Sequence, residues 1–350
     1  MSGNSFGRAL VLTTFGESHG IAVGGVLDGF PANLEIDVTS VQAELNRRKP
    51  GVDFFSSQRA EEDKIEILSG LFEGKSTGAP IAFLVYNHDH RSEDYDHLKD
   101  AFRPSHADYS WHRKYGFRDP RGGGRASARE TLARVAGGAI AKIFLATRNI
   151  SITARISQIG EFPVREQSGM PSDSNSPILD AEILTFLEQL VNEGDTTGGV
   201  VTCSINGVPA GLGEPVFDKL HADLGKAMLS INSVKGVEFG SGFKGASMKG
   251  SEHNDLFINE DGVIKTITNH SGGIQGGISN GEEIIFRVAF KPVSTLMQDQ
   301  PTVNVSGEST VIKGKGRHDV CVVPRALPIV EAMAALVIAD HLIRHLPLTT

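Results

Sequence analysis

Two histidines in polar company carry the chemistry that this chain offers. His19 lies in GESHG (16–20) and His106 in RPSHAD (103–108). Imidazole titrates near neutrality, so either ring can give or take a proton at physiological pH. Ser18 stands beside the first ring. Arg103 stands three residues before the second, so a cation and a proton carrier share one turn. RGGGRASARET (121–131) adds a glycine-rich loop with Arg125 and Arg129 four residues apart, a spacing suited to clamping oxyanions. Ser127 offers a hydroxyl and a helix cap. In KGRHD (315–319), Asp319 follows Arg317 closely and is expected to stay ionised, ready to relay a proton. Taken together, these groups point to acid–base chemistry on a polyanion.

Composition agrees. The net charge of −8 argues against a general nucleic-acid binder. Yet from Arg103 to Arg129 there are six arginines and one lysine against only Asp108 and Asp119. An acidic chain that gathers guanidinium in one segment reads as binding an anionic small molecule there; the plainer alternative is a solvated basic face. Hydrophobic content of 39% and charged content of 22% fit a globular protein. Cys203 and Cys321 form no CxxC pair, which fits a reducing compartment and argues against a disulfide framework. The N-terminal apolar run is too short for a signal peptide. The apolar stretch 329–339, interrupted by Glu331, reads as a buried helix. A soluble cytoplasmic protein without membrane or nucleic-acid partners is expected. NHDHRSEDYDH (87–97) places His88, His90 and His97 near Asp89 and Asp94, which would suit a metal-dependent hydrolase. Without matching ligand motifs elsewhere, a solvated loop is the better reading and no metal is expected.

The elements that must position these groups are read from periodicity. Strands are predicted at 21–27, 64–68, 81–86, 199–205 and 284–290. Asp37 caps a helix running to Lys49 and stopped before Pro50. Apolar positions 132, 135, 136, 139, 140, 143 and 144 mark an amphipathic helix over 131–146, with its start placed near Ala128. Further helices are predicted at 180–193, ended by Gly194, at 217–231, and at 328–345 with Pro328 as opener. Segments 161–179 and 241–262 read as irregular, one of them a cover over a site. Helices and strands mix without strict βαβ alternation, so the fold class is α+β with largely antiparallel sheets, in a single domain over 1–350.

The motifs resemble those of the chorismate synthases. GESHGIAVGGVLDGFPA (16–32), GGRASARETLARVAGG (123–138) and GRHDVCVVPRALPIVEAM (316–333) appear in family order, with RRKPG (47–51), RPSHADYSW (103–111), SGGIQGGIS (271–279) and KPVST (291–295) between them. The resemblance spans nearly the whole chain. It implies a β-α-β sandwich, usually a homotetramer. It implies conversion of 5-enolpyruvylshikimate 3-phosphate to chorismate and phosphate by 1,4-anti elimination. Reduced FMN is required with no net redox change: the flavin lends electron density to the departing phosphate and its N5 shuttles the proton. By the same resemblance Arg48, Arg103, Arg129 and Arg317 face the substrate, and His106 protonates the leaving phosphate. His19, with Ser18, protonates or steadies the flavin, and Asp319 works with flavin N5. Flavin contacts map to Arg125, Ala126, Ser127, Asn232, Ser233, Gly276, Lys291, Pro292, Val293, Ser294, Thr295 and Arg317. Arg48 is also the position credited with NADPH, the reductant in members that reduce their own flavin. Three departures stand out: Val320 where proline often follows the RHD triplet, Ser105 for a frequent glycine, and Phe54–Phe55 where many members carry a second arginine. The alternative is a non-catalytic flavin- or phosphate-binding protein on the same scaffold, against which the intact His19, His106 and Asp319 speak.

Overall fold

The computed structural model describes residues 3–49, 62–88, 98–165, 179–314 and 319–345. Among them, two five-stranded antiparallel sheets enclose a layer of helices. The first sheet holds β1 (Ser5–Phe6), β2 (Val11–Phe15), β3 (Ala22–Asp28), β4 (Ile65–Ile67) and β5 (Ile81–Tyr86) in the order β1-β2-β3-β5-β4. The second holds β6 (Ser151–Ile159), β7 (Phe162–Pro163), β8 (Gly199–Asn206), β9 (Val234–Phe239) and β10 (Ile284–Phe290) in the order β9-β10-β8-β6-β7. Strand β10 shows why: along IIFRVAF, buried positions alternate with half-buried ones, so one face meets the core. The five predicted strands are all present, with ends within about two residues.

The helical layer joins the sheets. Helix α1 (Val38–Arg48) begins as predicted, with the Asp37 carboxylate accepting from the Thr39 and Ser40 amides. Helix α2 (Asp108–Tyr115) follows His106. Helix α3 (Thr131–Ala146) packs on β2 and β3, while α7 (Val323–His345) packs on α3, β6 and β8. Helices α4 (Ala181–Glu193), α5 (Leu220–Leu229) and the short α6 (Gly250–His253) complete the set. The seam between α3 and α7 is close: a Cβ on Gly138 would lie 2.3 Å from that of Ala332. Helix α7 is long and apolar enough to cross a membrane, and 94% of its apolar window is buried inside the fold. Both cysteines are buried free thiols.

Three expectations are corrected. Helix α3 starts at Thr131, not near Ala128. Two 3-10 turns, Gly124–Ala126 and Ala128–Glu130, precede it, and Ser127 caps the second by accepting from the Arg129 amide. Residue i to i+3 bonding winds the chain more tightly there than an α-helix would. Helix α7 starts at Val323, and Pro328 lies inside it. The ring forfeits only the bond to the Pro324 carbonyl, and burial between α3 and the second sheet outweighs that loss. The 241–262 stretch holds a 3-10 helix (Gly242–Ser247), α6 and the first strand of a hairpin pairing Phe257–Glu260 with Val263–Thr266. Residues 166–178 of the other segment lie outside the described residues.

Candidate active site

The glycine loop organises the site. Gly122, Gly123 and Gly124 have φ of +60°, +89° and +55°, a backbone form that L side chains adopt only under strain. A Cβ on Gly122 would sit 2.3 Å from His19 Cε1 and 2.7 Å from Ser18 Oγ; one on Gly123 would sit 3.1 Å from His106 Cε1 and 3.3 Å from His106 Nε2. One loop therefore touches both imidazoles, which line a single cleft of about 280 Å³ together with Trp111, Phe117, Arg121 and Arg125.

Each ring is fixed locally. Ser18 Oγ lies 3.1 Å from His19 Nδ1. The turn that carries them is clamped by Asn87, whose Nδ2 donates to the carbonyls of Glu17 (3.0 Å) and Gly20 (2.8 Å). His106 Nδ1 lies 2.9 Å from Asp108 Oδ1. Asp108, the first residue of α2, also receives Arg103 through its backbone amide (3.1 Å), Nε (2.8 Å) and Nη2 (2.9 Å). Burial alone would push the Asp108 carboxyl up. Hydrogen bonds from Arg103 and His106 outweigh burial and hold it far below the ordinary carboxylate range.

A second carboxylate gathers the other cations. Asp63, at φ +47°, accepts from Arg48 Nη2 (2.8 Å) and Arg129 Nη1 (2.6 Å). Burial works against its ionisation, but the two guanidiniums prevail and hold Asp63 below its usual value. Burial, with Arg325 and Arg129 as like-charged neighbours, lowers Arg48 to about 10, still charged at neutral pH. Arg48 Nε is buried with no acceptor among the described residues. Arg129 Nε donates to Asn87 Oδ1 (2.9 Å), so Asn87 ties this cluster to the His19 turn. Arg325 donates through Nε to the Arg48 carbonyl (3.2 Å) and through Nη1 to Asp319 Oδ2 (2.5 Å).

The predicted flavin contacts fall into one connected group and one outlier. Asn232 Nδ2 donates to the Ala126 carbonyl (3.0 Å), and its Oδ1 is buried without a partner among the described residues. The Lys291 amide donates to the Ser233 carbonyl (2.9 Å). Lys291 Nζ donates to the Pro292 carbonyl (3.1 Å) and to Ser294 Oγ (2.7 Å), and Ser294 Oγ donates to the Ser105 carbonyl (2.9 Å). The Val293 carbonyl accepts from Thr196, and Thr295 closes the segment. Residues 232–233 and 291–294 are thus bonded to the loops bearing Ala126 and His106. Gly276 sits in the turn between Ile274–Gln275 and Ile278–Ser279, with no described contact to the cleft.

Arg125 and Arg129, spaced for clamping oxyanions, take different partners within the fold. Arg125 is committed to Gly16 O, Asn4 Oδ1 and Thr14 Oγ1, whereas Arg129 holds Asp63 and Asn87. The basic run is also partly neutralised from within: Asp108 takes Arg103 and Arg118, and Asp119 takes Arg121. Ser105 adopts φ +57°, the left-handed form that suits the frequent glycine better. Val320 is buried, and its carbonyl accepts from the Thr197 amide. Arg317, Phe54, His90 and His97 lie outside the described residues; His88 stacks loosely on Tyr86 at 6.1 Å. Four residues were not singled out by sequence: Asp108, Asp63, Asn87 and Arg325. Only Asp108 carried a signal, its place two residues after His106.

The chain matches the chorismate synthase family model over residues 10–343. It is 58% identical to the chorismate synthase of Cytophaga hutchinsonii, with 98% of each chain covered. It is 57% identical to that of Christiangramia forsetii (99% of each) and 55% identical to that of Bacteroides thetaiotaomicron (97% of each). A crystal structure of chorismate synthase superposes with a TM-score of 0.76 at 33% identity, covering 97% of this chain and 93% of that one. The sandwich, the glycine loop between two imidazoles and these matches together establish that the chain belongs to the chorismate synthase family.

Proposed function

We propose that this chain is a lyase that eliminates phosphate from 5-enolpyruvylshikimate 3-phosphate in the 1,4-anti sense, giving chorismate for aromatic biosynthesis, with reduced FMN as cofactor. The observation that carries this reading is the contact of one glycine loop with both His19 and His106. The residues present fit a flavin. The buried Asn232 Oδ1 is an acceptor awaiting a donor beside Ala126, and the glycines leave open the space that Cβ atoms would fill. Asn232, Ser233, Arg125 to Ser127 and Lys291 to Thr295 would hold it; Gly276 and Arg317 belong to the same proposal.

When bound, reduced FMN supplies electron density to the breaking C–O bond and recovers it. The chain's own groups do the rest. Arg48, Arg103 and Arg129, with Arg317, bind a substrate bearing one phosphate and two carboxylates. His106 delivers a proton to the departing phosphate oxygen. His19, oriented by Ser18, protonates or steadies the reduced cofactor. Asp319, held by Arg325, takes part in removing the ring proton. NADPH near Arg48 as reductant, a homotetramer and a cytoplasmic location are the family's further implications for this chain.

The test is anaerobic: the protein is mixed with dithionite-reduced FMN and the enolpyruvyl substrate while chorismate absorbance is followed. Steady product formation supports the proposal. Tight flavin binding without product would favour a non-catalytic binder.

A further inference from the structure

We propose that Asp108 is a positioning residue that selects which ring nitrogen of His106 works at the cleft and aligns Arg103 in the same act. This rests on the reading of His106 as proton donor to the phosphate. Both oxygens of Asp108 meet only donor positions. Oδ1 faces His106 Nδ1, Arg103 Nη2 and Arg118 Nη1 (3.4 Å); Oδ2 faces the amide and Nε of Arg103. Guanidinium and amide N–H groups cannot act as acceptors, whereas an imidazole nitrogen can do either. Opposite a buried carboxylate that stays ionised, Nδ1 must donate. The working nitrogen is then Nε2, on the ring edge that lies against Gly123 in the cleft.

The proton step balances in this arrangement. The C–O bond breaks with its electron pair on the phosphate oxygen, and that oxygen takes the proton from Nε2. The ring is left neutral as the Nδ1–H tautomer, the form that Asp108 stabilises. The same carboxylate anchors Arg103 at three atoms, so donor and substrate cation keep a fixed separation.

Asp108→Asn retains the shape and breaks the logic. An amide has one donor end, and each end of Asp108 faces donors. Only the imidazole can reverse its role, so the amide Nδ2 turns to His106 and drives the ring proton to Nε2. Neutron diffraction of the deuterated wild-type protein above the imidazole titration should show a deuteron on His106 Nδ1 and a bare Nε2. In kinetics, Asp108→Asn should lower kcat about 100-fold, as loss of an orienting partner does elsewhere. In a His106→Ala background the same substitution should change kcat by only about threefold or less, because the coupled imidazole is gone, while the loss of Arg103's anchor falls on KM in both backgrounds. A purely structural role would give equal losses in both backgrounds. A bare Nδ1 in the wild-type map, or equal losses, overturns the proposal. Should Asp108→Asn fail to fold, the wild-type map alone decides. Should the wild type form no chorismate while Nδ1 carries the deuteron, the functional reading falls and the tautomer assignment stands.

Discussion

Two buried aspartates anchor the site, and they differ in what they hold. Asp63 binds two guanidiniums, Arg48 and Arg129; Asp108 binds one guanidinium firmly and an imidazole. Both carboxyls are pushed down despite burial, because charged partners outweigh desolvation. A guanidinium stays charged at any physiological pH, so the Asp63 cluster supplies fixed positive charge. An imidazole can carry a transferable proton on either nitrogen, so under the proposed function the Asp108 cluster would orient a proton donor. One device would thus serve binding in one place and, under the proposed function, chemistry in the other, and the partner side chain decides which.

The comparison can be broken most sharply at His106. His106→Ala should lower kcat by about 10²–10⁴ while leaving flavin affinity and the urea midpoint near wild type; unchanged turnover would strip the Asp108 cluster of its chemical role. Asp63→Ala should do the reverse, lowering stability by about 3–5 kcal/mol because two buried cations lose their counter-charge. A normal denaturation midpoint would mean that Arg48 and Arg129 are balanced from elsewhere. Stability from Asp63 also has a pH signature. Its folded pKa lies below the unfolded value, so its contribution is full above about pH 4 and fades as pH falls through the folded value. Acid titration should therefore narrow the gap between wild type and Asp63→Asn, and a gap that widens in acid would reverse the sign. Arg129→Lys should weaken substrate binding, with a loss of about 1–3 kcal/mol, since an ammonium cannot serve Asp63 and Asn87 with the same fork. Equal substrate affinity by calorimetry would place Arg129 outside substrate contact. The smallest effect is expected at Ser105→Gly. Relief of the left-handed backbone and the added freedom of the unfolded glycine nearly cancel, so thermal stability should move by less than about 1 kcal/mol.

Much of the frame could be read from sequence because it is periodic. The apolar stretch 131–146 of helix α3 is found as predicted, though not the start near Ala128, since its apolar positions recur every three to four residues along a helix wedged between a sheet and α7. The strands likewise announced themselves by alternation and β-branched content. The site was legible where motif and loop coincide, at His19, His106 and the glycines between them. Asp63 was not legible, because its meaning comes from Arg129, 66 residues away in the chain. Asn87 and Arg325 were hidden for the same reason: each links segments that only the fold brings together. Pro328 misled because a local breaker rule met a helix whose burial overrides it.

The Gly138–Ala332 contact has a consequence for how this site tolerates change. Helix α3 extends from the loop that touches both rings, and α7 bears Arg325, the partner of Asp319. With no room for a methyl group at their crossing, the two rods share one fixed gauge. Thickening that crossing would shift Asp319 relative to the glycine loop beside the two imidazoles, so an apolar position remote from the cleft sets the reach between the groups to which the proposed function assigns chemistry.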